Sequence, residues 1–103
     1  MLTHEKNPII AVWKRPYQEV RFLAQRLSEL ANTFGALAST TEGRVVFFKK
    51  ATLDFNLNHV FQQFLSRTSA KGGGPAHFLE AGGIQATDDL EGILRDLRWQ
   101  PNY

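Results

Sequence analysis

Val45-Val46-Phe47-Phe48 places four large apolar residues in a row between Arg44 and the pair Lys49-Lys50. Side chains alternate between the two faces of a strand, so a strand with no polar alternate is covered on both faces. A chain of 103 residues has the surface for one compact core and not for two. The expectation is therefore a small single-domain α/β sandwich, with helices packed on a mixed sheet.

The flanking sequence supplies both kinds of element. Val20, Leu23, Leu27, Leu30 and Phe34 recur at helical spacing, Pro16 suits a first turn, and Gly35 follows as a stop. This predicts a long N-terminal helix over 16–34, whose apolar stripe packs on its own domain or serves a non-catalytic dimerisation module. Residues 1–15 read as a lead-in segment ahead of a domain spanning 16–103. Within that lead-in, Ile9-Ile10-Ala11-Val12-Trp13 is either a strand or a segment packed on a neighbour. Residues 36–40 and 44–50 form a hairpin around Thr41-Glu42-Gly43. Asp54 or Asn56 caps a second helix, with Leu57, Val60, Phe61, Phe64, Leu65 and Thr68 inward and His59 outward, ending near Ala70. Residues 76–81 give a third strand. Thr87-Asp88-Asp89 then opens a last helix that buries Leu90, Ile93, Leu94 and Leu97; the two aspartates are read as caps and not as a metal or catalytic pair.

Composition narrows the function classes. There is no cysteine, which removes disulfides, thiolate metal sites and thiol nucleophiles. No apolar stretch approaches the roughly 20 residues that span a bilayer. The opening Met1-Leu2-Thr3-His4-Glu5-Lys6 lacks a signal-peptide layout, and a cytoplasmic protein without membrane contact is expected. His4, His59 and His77 have no metal-ligand spacing, and no nucleophile–base set is legible, so no catalytic residue, metal or cofactor is expected in this chain. Charge is skewed: residues 1–79 carry ten Lys/Arg against five Asp/Glu, and residues 80–103 carry two against five. Such a skew is compatible with a face that meets phosphate.

The most informative stretch is Lys71-Gly72-Gly73-Gly74-Pro75-Ala76-His77-Phe78-Leu79-Glu80-Ala81-Gly82-Gly83. Three glycines in succession cost conformational entropy on folding, and they let a backbone approach a ligand closely or present N–H groups to an anion. They equally make a tight reversal that lets elements pack closely. The order is neither GxxxxGK[ST] nor GxGxxG, so this is not a nucleotide-binding loop of either common kind.

The string KGGGPAHFLEAGG resembles the signature of the DHH-associated C-terminal domain, as found at the C-terminus of alanyl-tRNA synthetases and related editing proteins. That signature reads approximately GGxGGGRPDxAQAGG, with the same length between the triple glycine and the closing Gly-Gly. Lys71, Gly72, Gly73, Gly74, Ala81, Gly82 and Gly83 fall on matching positions; Glu80 stands where Gln is usual, and Pro75-Ala76-His77 where Arg-Pro-Asp is usual. The resemblance covers roughly residues 16–98. It implies an accessory tRNA-binding domain, with tRNA for alanine as the RNA, a role in dimerisation, and aminoacylation and editing in other domains of a parent chain. Lys71, Gly72, Gly73, Gly74 and His77 would then touch RNA, with Lys49, Lys50 and Arg67 on the same basic face. The other branch of the superfamily implies a substrate-binding domain of a phosphoesterase acting on short nucleic acids, and His77 is the residue that resembles it. The DHH motif itself and the HxxxH with later CxxxH of the editing domain are both missing, so the domain alone is expected not to be an enzyme.

Overall fold

The computed structural model describes residues 8–30, 32–85 and 89–99. The elements run β1 (Ile9–Trp13), α1 (Tyr17–Leu27), β2 (Phe34–Ser39), β3 (Arg44–Lys49), α2 (Leu57–Arg67), β4 (Lys71–Gly73), β5 (Phe78–Gly82) and α3 (Leu90–Asp96). The five strands form one mixed sheet in the order β1-β2-β3-β5-β4, with β1 parallel to β2 and every other pair antiparallel. The apolar run 45–48 thus lies in the central strand, and each of its four side chains is 0% exposed. Parity explains the burial. Val46 and Phe48 point to α1, joining Tyr17, Val20, Ala24, Leu37 and Phe78. Val45 and Phe47 point the other way, into a larger core with Phe61 and Phe64 of α2 and Leu90 and Leu94 of α3. The α/β architecture of helices on a mixed sheet is as the sequence predicts.

The long N-terminal helix over 16–34 is not. α1 ends at Leu27, and Phe34 begins β2 with its ring in the α2 and α3 core. Ser28 closes the helix, the Thr33 hydroxyl reaches the Leu27 carbonyl oxygen at 2.6 Å, and Asn32 turns the chain in the left-handed region (φ 61°). Gly35 is not a helix stop. A Cβ there would fall on the Ile9 carbonyl oxygen, so the glycine serves the close approach of β2 to β1. The stripe from Val20 to Phe34 is consequently no continuous face: Val20 is buried under α1, Leu30 is 53% exposed, and Phe34 is in the opposite core layer.

The run 9–13, open in the sequence between two possibilities, is an edge strand paired with β2 residue for residue. α1 carries Pro16 at its N-cap with no side-chain cap of its own; Glu42, in the β2–β3 turn, accepts the Tyr17 N–H at 2.8 Å instead. Asn56 caps α2 by accepting from the His59 N–H, and Asp89 caps α3 by accepting from the Gly92 N–H. Asp88 and His4 lie outside the described residues.

Candidate nucleic-acid interface

α1 covers β2, β3 and the Phe78 end of β5 but stops short of the far edge of the sheet, which leaves β4 and the Gly82 end of β5 the more open. Strand register decides what that open face displays. Gly82 of β5 pairs with Arg44 of β3 on one side and Lys71 of β4 on the other. Glu80 likewise lies between Val46 and Gly73. Directly paired residues share a face, and Glu80 accepts a 2.6 Å hydrogen bond from the Tyr17 hydroxyl of α1. Arg44, Gly82 and Lys71 therefore form one row on the α1 face, and Glu80 and Gly73 lie in the next. Neighbouring strands are about 4.8 Å apart, so Arg44 and Lys71 bound a glycine strip roughly 10 Å wide, with the Arg44 side chain packed over Gly82.

The glycines in this strip are not alike. Lys71-Gly72-Gly73 is not a loop but the edge strand β4. A Cβ on Gly72 would fall on the Glu80 carbonyl oxygen, whereas a Cβ on Gly73 would meet nothing within 4 Å. The pairing requires the first glycine and leaves open space over the second. Gly74 takes φ 144°, where a side chain is strained, and starts the turn into β5.

Next to these glycines stands a polar cluster contributed by α1, β3 and β5. Glu80 also accepts from Arg21 Nε at 2.9 Å, and the Arg44 guanidinium stacks 4.3 Å from the Tyr17 ring centroid. An open cleft of about 450 Å³ runs along Tyr17, Gln18, Arg21, Glu42, Arg44 and Glu80. Partial burial opposes the Glu80 charge, but the bonds from Arg21 and Tyr17 and the nearby Arg44 outweigh it and hold the carboxyl below its usual range. Burial first, and then the Glu80 carboxylate, push the Tyr17 hydroxyl far up, so it remains a donor. Glu42 and Glu80 are thus engaged, by the Tyr17 N–H and by Arg21 and Tyr17. Among the described residues Arg44 and Lys71 make no ion pair.

The depressed Glu80 value has a measurable consequence. A carboxyl with a lower value folded than unfolded stabilises the fold above an unfolded value of about 4.3, and that stabilisation is lost as pH falls through the folded value. Glu80→Gln is expected to flatten the loss of stability between neutral pH and about pH 3, compared by urea midpoints. Equal losses in both proteins would contradict it.

The residues singled out in the sequence separate into three places. Lys71, Gly72 and Gly73 belong to the strip. Gly74 leads from it to His77, which is exposed and lies with Lys50 at the Phe78 end of the same face. Lys49 points away into the other layer, 8% exposed, with Nζ donating to the Leu53 carbonyl oxygen at 2.7 Å. Arg67 is on α2, 3.6 Å from Asp96. Neither Lys49 nor Arg67 shares the glycine face. Arg21, Arg44 and Glu80 are the members the local pattern does not bring together, because they meet through strand order. Among the described residues no group of three or more His, Asp or Glu side chains is placed to hold a metal ion, and no helix is long and apolar enough to cross a membrane. Comparison with protein-family models, curated proteins and solved structures finds no match.

Proposed function

We propose that the open α1 face of β5 and β4 binds the phosphate backbone of a structured RNA, and that the chain is an accessory tRNA-binding domain. The observation that carries this is the row Arg44–Gly82–Lys71, in which two exposed cations, without ion-pair partners among the described residues, stand on either side of a glycine and next to the open space over Gly73. A phosphate needs cations and close access to the backbone, and positioning contacts of this kind need no base edge. The resemblance of KGGGPAHFLEAGG to the glycine signature of the DHH-associated domain favours tRNA for alanine as the RNA. It likewise favours a parent chain that carries the chemistry elsewhere. In this reading the domain contributes grip and no catalytic group.

Folded tRNA for alanine should bind with an affinity that falls steeply between about 50 and 200 mM salt, since each neutralised phosphate releases counterions. Lys71→Ala should weaken binding and reduce the salt slope by about one, with stability unchanged within about 0.5 kcal/mol. Anisotropy titrations at four salt concentrations measure both. Affinity that is flat with salt, or no binding of tRNA at all, would overturn the assignment.

A further inference from the structure

The same face carries a second concavity at the opposite end of β5. It is a cleft of about 710 Å³ whose lining includes Phe22, Arg26, Glu29, Lys50, His77 and Phe78. Phe22, on α1, is 59% exposed, and the Arg26 guanidinium lies over its ring, 5.8 Å from the centroid. Lys50 donates to the Glu29 carbonyl oxygen at 2.9 Å, which uses one of its three donors. Glu29 is the acid among the lining residues, set against Arg26 and Lys50. A solvent-facing aromatic ring in a concave site, with Arg26 over the ring and Lys50 at the rim, matches the two halves of a nucleotide. The ring offers a stacking surface for a base, and the cations meet its phosphate. From Phe78 to Gly82 the strand advances about 13 Å, a separation short enough for one RNA to reach both sites.

We propose that this cleft holds an unpaired nucleotide at the single-stranded end of the RNA whose duplex phosphates lie on the glycine strip. The base stacks on Phe22 and the phosphate faces Arg26 and Lys50; this rests on the RNA-binding reading above. Strip and cleft then divide the work, the first taking backbone without regard to sequence and the second selecting a free end.

The probes are two RNA hairpins of identical stem, one blunt and one with a 3′ overhang of four nucleotides, with 5′-AMP as a competitor. Wild-type protein is expected to prefer the overhang hairpin by about tenfold, the scale of one stacked base. Phe22→Ala should erase the preference while leaving blunt-hairpin affinity as it was. Phe22→Leu, which keeps apolar bulk without a π face, should behave like the alanine variant, and Phe22→Tyr should retain the preference. Lys71→Ala should lower the affinity of both hairpins alike. Equal binding of the two hairpins by wild type, or full preference in Phe22→Leu, would overturn the proposal while leaving the strip intact. Phe22-dependent binding of 5′-AMP without an overhang preference would make the cleft a free-nucleotide site and overturn it too. If neither hairpin binds, the RNA assignment itself fails and the end-binding role with it.

Discussion

Phe47→Ala is expected to cost about 3–5 kcal/mol of folding stability, the range for truncating a buried phenylalanine that leaves a cavity. Phe47 is 0% exposed at the centre of the sheet. Its ring meets Phe61 edge-on at 5.4 Å, Phe64 at 5.3 Å and Trp99 in a stack at 5.6 Å. Removing it forfeits three ring contacts together, each worth roughly 0.5–1.5 kcal/mol beyond burial. The three rings come from α2 and the segment after α3, so relaxation into the void would need two separate stretches of chain to move at once. Domains of this size are stable by about 5–15 kcal/mol, so the loss is roughly a fifth of the whole or more. Trp99, whose indole N–H donates to the Leu94 carbonyl oxygen at 2.7 Å, supplies a fluorescence reporter for urea unfolding. A loss under about 1.5 kcal/mol would mean that the core is not organised around this ring.

That central strand was legible because its signal is local. Four apolar residues without an alternate demand cover on both faces, whatever the remaining topology. The helix faces of α2 and α3 and the β2–β3 hairpin were legible for the same reason, their periods being confined to a few turns or a few residues. The C-terminal half of the predicted N-terminal helix misled because Leu30 and Phe34 keep the helical phase of Val20 and Leu27 by coincidence. The chain leaves the helix after Leu27, and Phe34 enters the opposite core layer. Gly35 fits either a helix stop or a crowded strand, and only the partner strand β1 distinguishes them.

The candidate site shows the same division between local and distant information. The glycine string is conspicuous by itself, yet nothing within it says that its first part pairs with β5 as an edge strand. Lys49 and Lys50 are neighbours in sequence and read together as one basic patch. One residue of register sends Lys49 into the α2 layer and leaves Lys50 beside α1. Arg44 and Lys71 come together only because β5 is inserted between β3 and β4, which is a long-range pairing that no periodicity records. Charge counting located a basic majority; strand order decided which cations share a face.

The glycines of β4 give the sharpest separation of folding from binding, because two adjacent positions are expected to respond in opposite ways. At Gly72 an added Cβ falls on the Glu80 carbonyl oxygen and lies 2.7 Å from Ala81 Cα, both of them backbone that cannot rotate away. Gly72→Ala must therefore push β4 off the sheet. Since β4 is a three-residue edge, the other four strands can persist, and the expected cost is about 2–3 kcal/mol rather than complete unfolding. The displaced strand also takes Lys71 out of its row with Arg44, so RNA affinity falls by at least as much as in Lys71→Ala. Gly73 is the opposite case. Nothing lies within 4 Å of its added Cβ, and its backbone is not among the positive-φ glycines. Gly73→Ala is expected to keep or raise stability, by about 0.4–1 kcal/mol, because alanine restricts the unfolded chain. Its methyl would nevertheless stand up from the bare floor where a phosphate is expected to lie. A loss of about tenfold in tRNA affinity, equivalent to ~1.4 kcal/mol, is the predicted result. Urea midpoints, amide exchange of β5 and the anisotropy titration read the three quantities independently. Wild-type stability and unchanged β5 protection in Gly72→Ala would show that the close approach relaxes. Full affinity in a stable Gly73→Ala would move the phosphate path off the strip, because the only thing that variant adds is a methyl group on that floor.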